Sequence, residues 1–213
     1  MLTVHHLGKS QSERIVWLCE ELGIHYELKI YARDPVTRLA PPEYKALHPL
    51  GTAPIISDGN VVLAESVAIM EYIFAKYGSG DLVPAVTAPN FADYVFWFHF
   101  ANGSLQPNML RSMSLSRVEA PAEHPASKSA EARRKLVLSL IEERLGLTRY
   151  LAGDAFTAAD IVTVFTFTTM RIFLPFDLSP HPNILAYLQR IGTREAYRRA
   201  MAKGDPGLAP MLT

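Results

Sequence analysis

The sequence predicts a chain of class α/β plus all-α, and three observations carry that expectation. Residues 2–31 run through strand, helix and strand patterns in turn (LTVHH, ERIVWLCEELG, YELKIY). A hairpin signature follows, with Asp58-Gly59-Asn60 set between two short apolar runs. Beyond Gly78–Pro89, a stretch rich in glycine, proline and small residues, no strand pattern returns.

Taken in order, Leu2–His6 alternates as a strand does, and Leu7–Ser12 is a polar turn containing Gly8. Glu13–Gly23 carries apolar Ile15, Trp17, Leu18, Cys19 and Leu22 at helical spacing, with Gly23 as its stop. Tyr26–Tyr31 is a second strand, and a strand–helix–strand opening favours a parallel pair with a right-handed crossover. Arg33–Pro42 reads as loop, and a short helix is expected around Pro42–Leu47, where proline suits a first turn. Pro54–Ser57 and Val61–Ala64 are the hairpin strands. Ser66–Tyr77 is a helix, because Val67, Ile69, Met70, Ile73 and Phe74 recur at its period. The order β-α-β-α-β-β-α implies a mixed sheet. In the second half, helices are expected over 91–112, 130–147, 156–173, 182–191 and 194–203, with a loop over 119–129. The third of these is apolar nearly all round, the mark of a buried helix. The expected division is residues 1–78, a linker over 79–89, and a helical domain over 90–213.

The bulk composition excludes several classes. The 213 residues are 49% hydrophobic, with 21 charged residues of each sign and no net charge. That balance gives no footprint for nucleic acid or an anionic membrane. No uncharged stretch has the length to span a bilayer. The chain enters a strand at once, without a signal-peptide pattern, and its single cysteine, Cys19, fits a reducing compartment. The expectation is a soluble, cytoplasmic protein. One cysteine and scattered histidines give no metal site.

Chemistry concentrates in Gly51–Ser66, GTAPIISDGNVVLAES. Pro54 stands at the mouth of an apolar run, where it cannot donate to a sheet ladder. It makes sense if the chain turns sharply into a strand there, and a cis peptide is a recurring way to do so. Glu65 and Ser66 close one strand and open a helix. A strand edge beside a bend offers backbone hydrogen bonds, and a helix start offers N–H groups to a carboxylate. Together they make a grip for a small acidic peptide.

With these residues in view, the chain resembles the glutathione S-transferase family over essentially its whole length. LGTAPII (50–56) resembles the family's cis-proline loop, and LAESVAIMEYI (63–73) its Glu-Ser helix start. LAGDAFTAADIVT (151–163) resembles the capping box of its buried C-terminal-domain helix. The opening HHLGKSQSERIVWLCEELG (5–23) resembles the serine-type members, in the branch of yeast glutathione transferase one and its bacterial relatives. The resemblance implies a thioredoxin-like N-terminal domain, a C-terminal helical domain forming the second-substrate pocket, and a homodimer. In that dimer the α/β domain of one chain meets the helical domain of the other. It implies glutathione as co-substrate, with no other cofactor, and a small, largely apolar electrophile as its partner in the reaction.

The roles follow residue by residue. A free thiol is only a few per cent ionised near neutrality, so an enzyme using glutathione must favour and aim the thiolate. Ser10, four residues before Arg14 as in the family pattern, is the candidate to donate a hydrogen bond to the sulfur. Ser12 is its rival, with a helix N-cap as its ordinary role. Ala53 should offer its N–H and C=O to the cysteinyl backbone, and Pro54 in cis would hold those groups outward. Ser66 would bind the γ-glutamyl carboxylate and Glu65 the ammonium. Many relatives carry Lys or Arg where this chain has Thr52, so the glycyl end falls to Lys9, Arg33, Arg38, Lys45 or His48. Phe98 and Asn102, four residues apart on one helix face, are candidates for the electrophile pocket, expected in a cleft between the domains. Thr157 and Asp160 form a capping box with a structural role. Cys19 is expected buried and inert, and no Cys-x-x-Cys is present for disulfide exchange. His5 and His6 point to opposite faces of their strand; His6 could approach the sulfur, but a packed strand histidine is the default. A variant of the same chemistry reduces organic hydroperoxides with the same thiolate. The competing reading is a non-catalytic ligand-binding or interaction protein on this scaffold.

Overall fold

The structure is a computed structural model that describes residues 1–213. Two compact units form: residues 1–81 with 191–211, and residues 82–190 with 212–213.

The first unit is built on a four-stranded sheet of order β2-β1-β3-β4, from β1 (Leu2–Leu7), β2 (Glu27–Tyr31), β3 (Ile55–Asp58) and β4 (Val61–Ala64). Every residue of β1 is buried, as a central strand covered on both faces must be. β1 runs parallel to β2, with His6 opposite Ile30, and antiparallel to β3, with His5 opposite Ile55. The crossover between β1 and β2 is α1 (Glu13–Leu22), which buries Ile15, Val16, Trp17, Leu18 and Cys19 and ends at Gly23 in the left-handed conformation. Burial pushes the Cys19 thiol up, which keeps it protonated and inert. α2 (Pro42–Lys45) is a single turn that delivers Tyr44 to the core beside Leu7, Ile55 and Ala64. α3 (Ser66–Tyr77) follows β4 and packs on the sheet and on α1.

This topology brings three chain segments to one end of the sheet. β1 ends where antiparallel β3 begins, and Ile55 in turn faces Ala64 at the end of β4. The turn after β1, the residues before β3 and the start of α3 therefore converge.

The structure corrects the expected division at residue 90. The last helix, α9 (Glu195–Gly204), belongs to the sheet-bearing unit. It packs along α1, where Trp17 and Tyr197 meet edge to face at 4.8 Å between centroids. Arg194 grips Glu21 through two 2.8 Å bonds, and Lys203 and Arg199 both reach Glu20. Chain order placed α9 with the helices, but its partners lie on α1.

The second unit is helical: α4 (Phe91–Phe100), α5 (Gln106–Arg117), α6 (Pro125–Leu147), α7 (Ala158–Phe167) and α8 (Pro182–Gly192), whose last two residues fall in the first unit. The helix expected over 91–112 is interrupted by a π-helical turn, Ala101–Leu105, and then continues to Arg117. α6 begins earlier than expected, at Pro125 in the first turn, with the His124 ring accepting the Ala126 N–H. α7 is buried along its whole length. The Thr157–Asp160 capping box forms, and Asp160 also accepts the Leu151 N–H and the Tyr187 hydroxyl. No helix is long and apolar enough to cross a membrane.

Asp58 ties the hairpin to α3. It accepts hydrogen bonds from Lys76 (2.6 Å), Tyr77 (2.5 Å) and Tyr72 (3.1 Å), and the N-terminal amine lies 3.7 Å away. Burial, the largest influence, pushes its carboxyl up, but those hydrogen bonds outweigh burial and hold it at about 2. A carboxyl lowered on folding contributes stability that is present above its unfolded value and lost as pH falls through the folded one. Asp58→Asn should therefore cost about 2 kcal/mol in urea unfolding at pH 7 and almost nothing at pH 2. An equal cost at both values would contradict the ionic reading.

Candidate functional site

The turn after β1 carries the centre of the site. Gly8, Lys9 and Ser10 leave the strand, and Lys9 takes a positive φ of 54°. Arg33 holds this turn by its carbonyls, donating from Nε to Gly8 O (2.8 Å) and from Nη2 to Lys9 O (3.3 Å). Asp205 holds it by an amide, accepting the Lys9 N–H at 2.9 Å. Ser10 is thereby fixed just before the N-terminus of α1, where Glu13 N–H donates to its carbonyl. Ser10 is 5% exposed.

Ser12 occupies the N-cap position of α1, but its hydroxyl makes no capping bond. That corrects the expectation from local preference. The hydroxyl turns back to β1, where it accepts the Leu7 N–H (3.1 Å) and lies 2.9 Å from His6 Nδ1 and 2.7 Å from Ser10 Oγ. His6 and Ser12 are fully buried, so neither presents a group to a ligand. His5 faces the other side of the strand and packs between Tyr31 and Ser57.

The second segment is the bend. The Ala53–Pro54 peptide is cis. Pro54 is buried and Ala53 is half-buried, two residues before the first laddered residue, Ile55. The Ala53 N–H and C=O thus lie outside the sheet's own pairing, at an edge where an extended peptide can add.

The third segment is the start of α3. Glu65 is exposed and adopts φ 71°, ψ 116°, a conformation that non-glycine residues rarely take. Strain of this kind collects at ligand sites. Ser66 is 2% exposed, and its Oγ accepts a 3.1 Å bond from Arg14 Nη1. Arg14 is wholly buried and its Nη1 also donates to Gln11 Oε1. Burial pulls its guanidinium down to about 9, opposed by the charge of Glu13, so it remains a cation at neutral pH. A buried cation therefore sits beneath the positive end of α3, and the two fields would add at a bound carboxylate.

Comparison with known proteins decides the family. The glutathione S-transferase N-terminal domain model matches residues 10–76, and the glutathione S-transferase C-terminal domain model matches residues 105–195. The chain belongs to the glutathione S-transferase family. It is 35% identical to glutathione S-transferase 3 of Schizosaccharomyces pombe, over 95% of this chain and 88% of that one. It is 27% identical to glutathione S-transferase 1 of Saccharomyces cerevisiae, over 95% of each. A crystal structure of a glutathione S-transferase from Actinobacillus pleuropneumoniae superposes with a TM-score of 0.87 at 35% identity, covering 98% of this chain and 94% of that one.

Within this transferase, Ser10, Ala53, Pro54, Glu65 and Ser66 gather at one end of the sheet. Phe98 and Asn102 lie in the helical unit. Phe98 is 3% exposed and stacks on Tyr94 with ring centroids 5.4 Å apart. Asn102 lies in the π-helical turn. Of the five cations named for the glycyl end, Arg33 is committed to the turn after β1, and His48 Nδ1 accepts the Leu50 N–H. The stem of Lys45 lies against Gly51, beside Thr52 and Ala53. No group of three or more His, Cys, Asp or Glu side chains could hold a metal ion. Sequence reasoning missed Asp205 and the Arg14–Ser66 bond. An arginine on the core side of α1, between Glu13 and Ile15, was the available sign of the latter.

Proposed function

We propose that the chain binds glutathione at this end of the sheet, ionises its thiol against Ser10, and conjugates the thiolate to small, largely apolar electrophiles. The observation that carries the reading is the convergence of Ser10, Ala53 and Ser66 on one sheet end, with buried Arg14 joining α1 to the start of α3. Ser10 donates a hydrogen bond to the sulfur, the serine-type arrangement. The N-terminus of α1 adds its positive end. Ala53 pairs with the cysteinyl backbone, Ser66 and the α3 N–H groups receive the γ-glutamyl carboxylate, and Glu65 receives the ammonium. Lys45, whose stem lies against Gly51, is our candidate for the glycyl carboxylate. A π-helical turn is a feature frequent at functional sites, and the one that holds Asn102 supports that residue in the electrophile pocket.

The same thiolate would serve peroxidase turnover of organic hydroperoxides. The reading also carries a homodimer and a cytoplasmic setting. Exposed Val61 and Val62 on edge strand β4 and Phe96 on α4 are apolar surfaces a second copy would cover. The competing reading, a binding protein without turnover, predicts retention on immobilised glutathione with no conjugation. The transferase reading predicts both retention and conjugation of a generic chloronitroaromatic. Absence of conjugation with intact retention would overturn it.

A further inference from the structure

We propose that His6 and Asp205 drive thiol ionisation from beneath the site, taking the proton of glutathione through Ser10 and Ser12. The proposal rests on the Ser10 reading above and adds the base which that reading lacks. Serine can donate a hydrogen bond to a thiolate, but it is too weak a base to make one.

The geometry is a continuous chain of four groups. Ser10 Oγ lies 2.7 Å from Ser12 Oγ, Ser12 Oγ lies 2.9 Å from His6 Nδ1, and His6 Nε2 lies 3.2 Å from Asp205 Oδ2. The donor directions follow from the ends. A carboxylate only accepts, so Asp205 places a proton on His6 Nε2 and leaves the Nδ1 lone pair facing Ser12. Ser12 then donates to Nδ1, and its oxygen accepts from Leu7 N–H and from the Ser10 hydroxyl. With its own proton turned inward, Ser10 meets the incoming S–H with a lone pair. In this state it is an acceptor, and only a shift along the chain makes it the donor that a thiolate needs.

The step balances within these groups. The thiol proton passes to Ser10 Oγ as the Ser10 proton passes to Ser12 Oγ and the Ser12 proton passes to His6 Nδ1. Sulfur becomes thiolate, His6 becomes imidazolium, and Asp205 lies against the new charge. Every hydroxyl in the chain is then reversed, and Ser10 donates to the sulfur. When the sulfur pair forms a bond to an electrophile, the proton returns along the same path to the product or leaves to solvent with the departing anion.

Two glycines make this packing possible. A Cβ on Gly204 would lie 3.2 Å from His6 Nε2 and Cε1, and one on Gly8 would lie 3.2 Å from Asp205 Oδ1. His6 and Ser12 are fully buried, and the chain approaches the surface at Ser10 and at Asp205, whose side chain is 11% exposed. The charges around His6 are few. Asp205 comes from the segment after α9, with Arg33 within range of its charge. Arg14 on α1 turns to Ser66, and Tyr31 on β2 turns to His5 on the opposite face.

Here Ser12, His6 and Asp205 are positioning residues, since none touches substrate. The test mixes the protein with glutathione in weakly buffered solution at pH 7. It follows thiolate absorbance and the colour of a pH indicator together. The wild type should form thiolate while releasing close to no proton per site, because the proton stays on His6. Ser12→Ala breaks the path and should release close to one proton per thiolate formed, with kcat lower by about 100-fold and KM for glutathione within a factor of about two. Asp205→Asn, at a partly exposed position, keeps an acceptor for Lys9 N–H and should show the same release, which covers a Ser12 variant that fails to fold. A wild type that forms thiolate and releases one proton per site would overturn the relay and leave Ser10 as thiolate donor. Thiolate formed without proton release in both variants, as in the wild type, would also overturn it. A wild type that binds glutathione without forming thiolate would remove the Ser10 reading and the relay together.

Discussion

Ser10→Ala should lower kcat for conjugation by about 100- to 1000-fold while leaving glutathione affinity within a factor of about three, the pattern of a hydrogen bond made to developing negative charge. On the proposed reading affinity is spread over Ala53, Glu65, Ser66 and the α3 N–H groups, whereas Ser10 meets only the sulfur. Its 5% exposure and its fixed place before α1 argue that the hydroxyl is held in position before ligand arrives. Ser10→Thr keeps the hydroxyl and should recover part of the loss. Equal losses in kcat and affinity would make Ser10 a general contact, and no loss in either would make it a turn residue.

The second large effect is expected at Arg14. Arg14→Ala removes a wholly buried cation that bonds Ser66 and Gln11, leaves a cavity, and should cost at least about 3 kcal/mol in urea unfolding. That loss alone does not separate packing from binding. Arg14→Met does, because it fills similar volume without the charge. It should lie within about 1 kcal/mol of wild type in stability, yet weaken glutathione by about tenfold or more. The binding loss should shrink for an analogue whose γ-glutamyl carboxylate is amidated. Wild-type affinity in Arg14→Met would show that the cation serves the fold alone.

What was legible in the sequence is what nearest neighbours along the chain decide. The β1–α1–β2 opening, the Asp58-Gly59-Asn60 hairpin, the bend at Pro54 and the Thr157–Asp160 capping box each depend on a few adjacent residues, and each stands where the pattern put it. Three features resisted for one reason, that their partners are remote. Ser12 has the residue type of a helix cap, but His6 and Leu7 on β1 compete for its hydroxyl and win. Asp205 reaches His6 across 199 positions, and no local signal marks it. α9 reads as one more helix of a helical half until Glu20, Glu21 and Trp17 on α1 claim it. The π-helical turn at Ala101–Leu105 is a fourth departure, and its local signs are Gly103 within it and Pro107, which has no N–H for the helical ladder, just after it.

The most direct measurement is the near-ultraviolet absorbance of the glutathione thiolate on the enzyme as pH is raised, for wild type and Ser10→Ala. The account predicts a bound thiol that ionises well below free glutathione, whose thiol lies near the ordinary value of about 8.5, and a return toward the free value in Ser10→Ala. Ionisation of the bound thiol at the free value in the wild type, or an undiminished shift in Ser10→Ala, would contradict it.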